Sequence, residues 1–344
     1  MSGLYDVHAH QVGDDLIDAL RTNGGAYDIE IRAEANGRER AIIGGRPAAL
    51  PFLPKLSNVD ERLARMDGAG IGRQLLASWM DLAGYHLPSR STQWLCRAQN
   101  QTLAALAQSR PERFSAAAMV PLQDPAAAAS EVRFAAETLG MTAVQIGTNI
   151  EGRMLDDPEL DPFWAAVAET GIPVIVHPAE LGGSEQSRRY FLHILVGNPA
   201  ETTAAAAALI FGGVVERFPD LRFLLVHGGG FIPYQIGRLE RGFVAAPPQY
   251  KAKATLPPSS FLNAFFFDTI VHDARALRYL IDTVGASQVV VGSDYPFPLQ
   301  DLDPGATLAR VATSDEQVAI AGQNATQRFC CHTVMPQHTP EGRA

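Results

Sequence analysis

Five residues able to bind a metal or move a proton stand at the ends of apolar runs: His8 and His10 in LYDVHAH, His177 in IVHP, His227 in LVHGGG and Asp294 in VGSDYPF. Imidazole nitrogens with a carboxylate oxygen suit Zn2+, and also Fe2+, Mn2+ or Co2+. His8 and His10 are one residue apart. On a strand, i and i+2 point to the same side, so the two rings can converge on one point. His8, His10, His177 and Asp294 would supply three nitrogens and an oxygen and leave room for substrate. His227 would then stand beside the site as an acid/base. A single histidine at a strand end is more often a satisfied core or surface residue. The reading therefore rests on the set, which recurs at equivalent places along the chain. His272 ends another apolar run and is a weaker candidate for the same pocket; His86, His193, His332 and His338 have no such placement.

The elements that must position these residues are short apolar runs over 4–10, 71–78, 114–123, 142–148, 172–179, 222–230, 265–271 and 288–297. They are apolar on both faces, as in a parallel sheet covered by helices. Helical patterns alternate with them, some opened by start signals such as Asp124-Pro125 and Asp161-Pro162. Eight such units predict an α/β fold, a (β/α)8 TIM barrel, whose chemistry sits at the C-terminal ends of the strands. A doubly wound sheet lacks its sign, because no G-x-G-x-x-G turn follows the first strand. The chain reads as a single barrel domain over 1–344, with a small insertion after strand 1 (residues 11–58) placed over the active-site mouth. Residues 244–262, which contain AAPPQYKAKATLPPSSF, form a second excursion, expected over the mouth or toward a partner subunit. Gly228, Gly229 and Gly230 either turn the chain sharply or clear space for substrate; no Gly-Lys-Ser/Thr follows, so they are not a phosphate loop.

With 47% hydrophobic and 19% charged residues, the chain sits among folded globular proteins. The formal net charge is −9 and no Lys/Arg-rich run occurs, which argues against nucleic acid and against an anionic membrane as partner. No apolar stretch approaches the ~20 residues of a membrane span, and the N-terminus has no signal-peptide pattern. Cys96, Cys330 and Cys331 give neither a disulfide framework nor a Cys-x-x-Cys motif, so a cytoplasmic setting is expected.

The histidine and aspartate motifs do not stand alone. VPLQDP (120–125), VQIGTNI (144–150), NPAETTAA (198–205), VHGGGFIPYQIGRLERG (226–242), FFFDT (265–269), VVGSDYPFPL (290–299) and GQNA (322–325) follow in order. With them the chain resembles the amidohydrolase superfamily, in particular its amidohydrolase-2 group and the 2-amino-3-carboxymuconate 6-semialdehyde decarboxylase branch. The resemblance implies one divalent metal, usually zinc, on His8, His10, His177 and Asp294, with His227 and Asp294 at the catalytic centre. It implies that Arg46, in GGRPAAL, holds a substrate carboxylate. Arg238, in IGRLERG, matches an arginine that reaches the neighbouring subunit's site, which implies a homodimer. Guanidinium forks bind carboxylates bidentately, although by residue type alone either arginine also reads as a surface ion pair. Two-metal amidohydrolases use a carboxylated lysine at strand 4; the only lysines here are Lys55, Lys251 and Lys253, so one metal is expected.

The implied activity is metal-dependent, non-oxidative decarboxylation of a small unsaturated or aromatic carboxylic acid. A hydrolase acting on an amide, lactone or C–C bond, or a hydratase, needs the same ion and base and stays open as the alternative. A scaffold protein that merely keeps the barrel would have lost a ligand or the base, and all five residues are present. Residues 75–88 and 179–195 depart from the decarboxylase branch and are expected to line the pocket. The second segment carries Glu180, Arg188, Arg189 and His193.

Overall fold

A computed structural model of the protein describes residues 3–179 and 189–330. Glu180, Arg188, Cys331, His332 and His338 lie outside the described residues. Eight strands form one sheet: β1 (Leu4–His10), β2 (Ile71–Ala77), β3 (Phe114–Met119), β4 (Ala143–Gly147), β5 (Val174–His177), β6 (Phe223–Leu225), β7 (Phe265–Asp268) and β8 (Val289–Val290). Each pairs in parallel with the next. The chain beyond β8 returns to β1, where Val7 N donates to Val291 O at 2.9 Å and His10 N to Tyr295 O at 2.7 Å. The sheet is thereby closed into the expected barrel. Tyr5, Leu75, Ala117, Ala143, Ile175, Leu224, Phe266 and Val290, one per strand, belong to one buried cluster that Ala325 and Phe329 complete. Side chains thus fill the barrel rather than leaving a pore.

Helices Val59–Gly68, Ser89–Ser109, Pro125–Glu137, Asp161–Thr170, Asn198–Phe211, Ile232–Ala245 and Ala274–Val284 cross between successive strands. Asp124 caps its helix by accepting from Ala127 N at 3.1 Å, ahead of Pro125. Asp161 is no cap: it lies inside the first turn and pairs with Arg217 at 2.8 Å. The run Arg189–Phe211 has the length and mean hydropathy, 1.3, of a membrane span, a stretch that sequence reading passed over. It is not one straight rod: Tyr190 has a φ of 55° and His193–Gly197 is a π-turn. Its helix Asn198–Phe211 buries Thr202, Ala205, Ala206, Leu209 and Ile210, placing it in the ring around the barrel.

The insertion is more ordered than its low periodicity predicts. It holds helix Asp14–Asn23 and a three-stranded antiparallel sheet of Ile29–Ala33, Glu39–Ile43 and Arg46–Pro47. Its Leu16, Leu20, Ile29, Ala41 and Ile43 pack with Trp79, Leu87 and Leu95 of the main fold. The excursion over 244–262 does not lie over the mouth, the first of its two expected places. It joins the C-terminal end of a helix to the start of β7, and Lys253 N donates to Phe211 O at 2.7 Å, at the end of helix Asn198–Phe211. In a barrel that is the face away from the mouth.

Candidate metal centre and cavity

Asp6 stands opposite Gln74 and Ala9 opposite Leu76, so Val7 and His8 together face Leu75. This extra residue is a β-bulge, a device that re-aims side chains. His8 Nε2 and His10 Nε2 come within 3.3 Å. His177, ending β5, brings its ring to 5.1 Å from that of His8 and 4.9 Å from that of His10. His227 and Asp294 lie in the turns beyond β6 and β8, with φ of 56° and 59°. Non-glycine residues enter that left-handed region only when their surroundings hold them there. Here His227 N donates to Asp268 Oδ2 at 3.0 Å and Asp294 N to His8 O at 2.8 Å.

Asp294 Oδ1 is 3.5 Å from His8 Nε2 and 3.3 Å from His10 Nε2, and its Oδ2 is 3.8 Å from His227 Nε2. All five residues singled out by sequence therefore meet. One ligand atom each from His8, His177, His227 and Asp294 lie within 4.8 Å of one another. His10 touches this group without belonging to it, so the geometry offers His227 as well as His10 to a metal. His177 Nε2 and Asp294 Oδ1 are buried with no hydrogen-bond partner. Buried polar atoms are ordinarily paired, and a cation among them would satisfy both.

The far nitrogens of His8, His10 and His177 each have a hydrogen-bond partner. His10 Nδ1 donates to Ser78 O at 3.1 Å and His177 Nδ1 to Pro178 O at 2.7 Å, which leaves the Nε2 lone pairs free to converge. His8 Nδ1 meets Asp268 Oδ2 at 2.7 Å. Burial holds His177 well below the ordinary histidine value, helped by neighbouring His10 and His8. Burial also lowers His10. Burial acts against the His8 cation too, but Asp268 and Asp294 outweigh it and its pKa is raised. Burial alone would raise Asp294; the adjacent His10, His227 and His8 rings overcome it and hold the carboxyl well below its usual range. Neutral imidazoles beside an ionised carboxylate are the forms that bind a metal.

Asp268 was not assigned a role from sequence. It is fully buried and also accepts from Gly228 N at 2.8 Å and Ile270 N at 3.1 Å. One carboxylate thus orients the His8 ring and anchors the turn that carries His227. Its signal was present: an aspartate ends the apolar run FFFD at the same level as the other site residues.

The site opens into a cavity of about 510 Å3. Its walls include Trp79 and Met80 after β2, Phe191, His193 and Ile194 after β5, Phe297 after β8, and Arg40 with Pro47–Leu50 of the insertion. Both segments that depart from the decarboxylase branch therefore contribute. Arg46 is exposed, pairs with Glu151 at 2.8 Å, and is not among the lining residues. Arg238 is exposed on helix Ile232–Ala245, and it, Arg189 and His272 do not line the cavity either. The three glycines after His227 serve packing rather than substrate space. A Cβ on Gly228 would stand 2.3 Å from Val271 Cγ1, and one on Gly230 would stand 2.2 Å from Pro199 O. At β4, where a two-metal site would need lysine, Gln145 donates to Ser78 O at 2.8 Å.

The amidohydrolase family model (Amidohydro_2) matches this chain over residues 5–329. The protein belongs to the amidohydrolase family. Among curated amidohydrolases it is similar to a 2-amino-3-carboxymuconate-6-semialdehyde decarboxylase of Dictyostelium discoideum, 34% identical over 75% of this chain and 72% of that one. It is also similar to the crystal structure of a 5-carboxyvanillate decarboxylase from Sphingomonas paucimobilis, with a TM-score of 0.81 and 26% identity over 96% of this chain and 100% of the other. A dihydroxybenzoic acid decarboxylase from Polaromonas, solved with bound manganese, shares the fold at a TM-score of 0.76 and 21% identity, covering 96% and 97%.

Proposed function

We propose that this amidohydrolase is a metal-dependent, non-oxidative decarboxylase of an aromatic or unsaturated carboxylic acid. The observation that carries the reading is the convergence of three anchored imidazoles and Asp294 on a cavity walled by Trp79, Met80, Phe191 and Phe297. An apolar, aromatic wall facing a cationic centre suits a planar conjugated acid. His8, His10, His177 and Asp294 would hold one divalent metal, with zinc the first choice from the donor set and manganese, cobalt and iron(II) the alternatives. The metal would supply a fixed positive charge against the acidic oxygens of the substrate.

His227 is the acid/base of this reading. Its Nε2 faces Asp294 Oδ2 at 3.8 Å, at the edge of the cavity. It delivers a proton to the carbon that bears the carboxylate. That proton is taken up by a π pair of the conjugated acid; the C–C bond then breaks, its electron pair restores the π bond, CO2 departs, and His227 regains a proton from solvent. Asp294 keeps the imidazole aimed into the cavity.

Arg46 and Arg238 are proposed to contact the substrate's anionic groups. For Arg46 this requires release from Glu151. For Arg238, outside its own cavity, it requires a second subunit. A homodimer is supported by the exposed Tyr234 and Val244 on the same helix and Phe231 just before it. The proposed compartment is the cytoplasm; Cys96 and Cys330 are free thiols.

The test is CO2 release by purified protein from hydroxybenzoates and muconic semialdehydes, with Zn2+, Mn2+ or Co2+ added to chelator-treated samples. Metal-dependent CO2 is expected. A hydrolysed product without CO2 would replace this reading with the hydrolase, which the decarboxylase relatives disfavour.

A further inference from the structure

Arg62 and Asp6 are a fully buried cation and a fully buried anion that the chemistry above does not use. They do not pair directly; Gln74 stands between them. Arg62 Nη1 donates to Gln74 Oε1 at 2.6 Å, and Gln74 Nε2 donates to Asp6 Oδ2 at 2.7 Å. The amide orientation is dictated, because a guanidinium has only donors and a carboxylate only acceptors.

Both ends of this chain of bonds land beside the metal centre. Arg62 Nη2 donates to the carbonyl of His10, and its guanidinium lies 4.6 Å from the Tyr295 ring centre. Asp6 accepts from Ser293 Oγ at 2.5 Å, Ser293 N at 3.0 Å and His8 N at 3.1 Å. The residues held are therefore His8 and His10 themselves and the two neighbours of Asp294. Burying two charges is expensive, and well-packed apolar side chains are often at least as stabilising. Placing them here, with the outer links directed at two of the three chain segments that carry the candidate ligands, points to geometry rather than stability.

We propose that Arg62, Gln74 and Asp6 form a buried guanidinium–amide–carboxylate relay that positions the ends of β1 and β8, and so sets how tightly the centre holds its divalent metal. The three are positioning residues, and the inference rests on the metal reading above.

The experiment titrates metal-free protein with Zn2+ and with Mn2+ in competition with a chromogenic chelator. Gln74→Met keeps the side chain's length and removes both bonds. It is expected to weaken metal binding at least tenfold while the far-ultraviolet circular dichroism stays that of the parent. A parent protein that binds neither metal overturns the metal reading itself. A parent that binds, with Gln74→Met within twofold of it, overturns the relay alone. If Gln74→Met does not fold, Ser293→Ala decides, since it removes the Oγ bond to Asp6 and leaves Arg62 and Gln74 in place, at the cost of the one bond this oxygen accepts from Tyr295 N. Weaker binding of at least threefold supports the relay, and unchanged binding overturns it.

Discussion

On the β1–β7–β8 side of the cavity, the groups that carry chemistry are held by buried partners: His8 by Asp268, the His227 turn by Asp268 again, and Asp294 through His8 O. Elsewhere in the cavity lining, Pro47–Leu50, Trp79, Met80, Phe191 and Ile194 present mostly apolar surface, and Leu50 and Phe191 are 39% and 40% exposed. The difference follows from what each region must do. A metal centre tolerates errors of a few tenths of an ångström, so its ligands sit on barrel strands and the turns tied to them. A wall that only selects a substrate's shape needs complementary surface, and loops can supply it and vary.

Four substitutions probe that contrast. His177→Ala removes a proposed ligand whose Nε2 is otherwise orphaned, and metal content by elemental analysis should fall to background together with turnover. His227→Ala should keep the metal and lose about 10²–10⁴-fold in turnover, the usual worth of an acid/base. Loss of metal instead would move His227 into the ligand set. Asp268→Asn should keep the barrel and weaken metal affinity by about 10–100-fold, as second-layer partners of ligating histidines do. An unchanged affinity would remove the rigid side's chief support. Leu50→Ala, in the apolar lining, should leave metal affinity unchanged and alter the ratio of kcat/KM between acids differing by one methyl by about tenfold.

The smallest effect expected is on the stability of metal-free protein. His10 and His177 are held below the ordinary value, whereas the unfolded chain takes up a proton at each near pH ~6.5. The unfolded state then binds more protons below that pH, so stability falls as pH drops from about 7.5 to about 5.5. His8, whose pKa is raised, acts in the opposite sense: its contribution is present at low pH and fades as pH rises through its folded value. Replacing His177 by Gln should flatten the thermal-denaturation slope against pH; an unchanged slope would mean that this ring is not held neutral.

Much of this molecule was legible before any tertiary contact was known. LYDVHAH is a strand over residues 4–10, and the histidines of IVHP and LVHGGG and the aspartate of VGSDYPF do converge. The insertion was not legible: its pairings Ile29–Ile43 and Ile31–Ala41 are local, but its strands are too short to show a clear period. The excursion over 244–262 is not over the mouth, one of its two expected places; a Pro-rich composition carries no direction.

Residue types and their period determined the barrel and the metal-binding candidates, because alternation and burial are local properties that each strand carries in its own sequence. Only the tertiary structure decided which groups hold those candidates still. Asp268 is 260 positions from the His8 ring it orients, and Ser293 is 287 from Asp6. Barrel closure brings such pairs together, and no spacing within a strand encodes a partner that lies across the sheet.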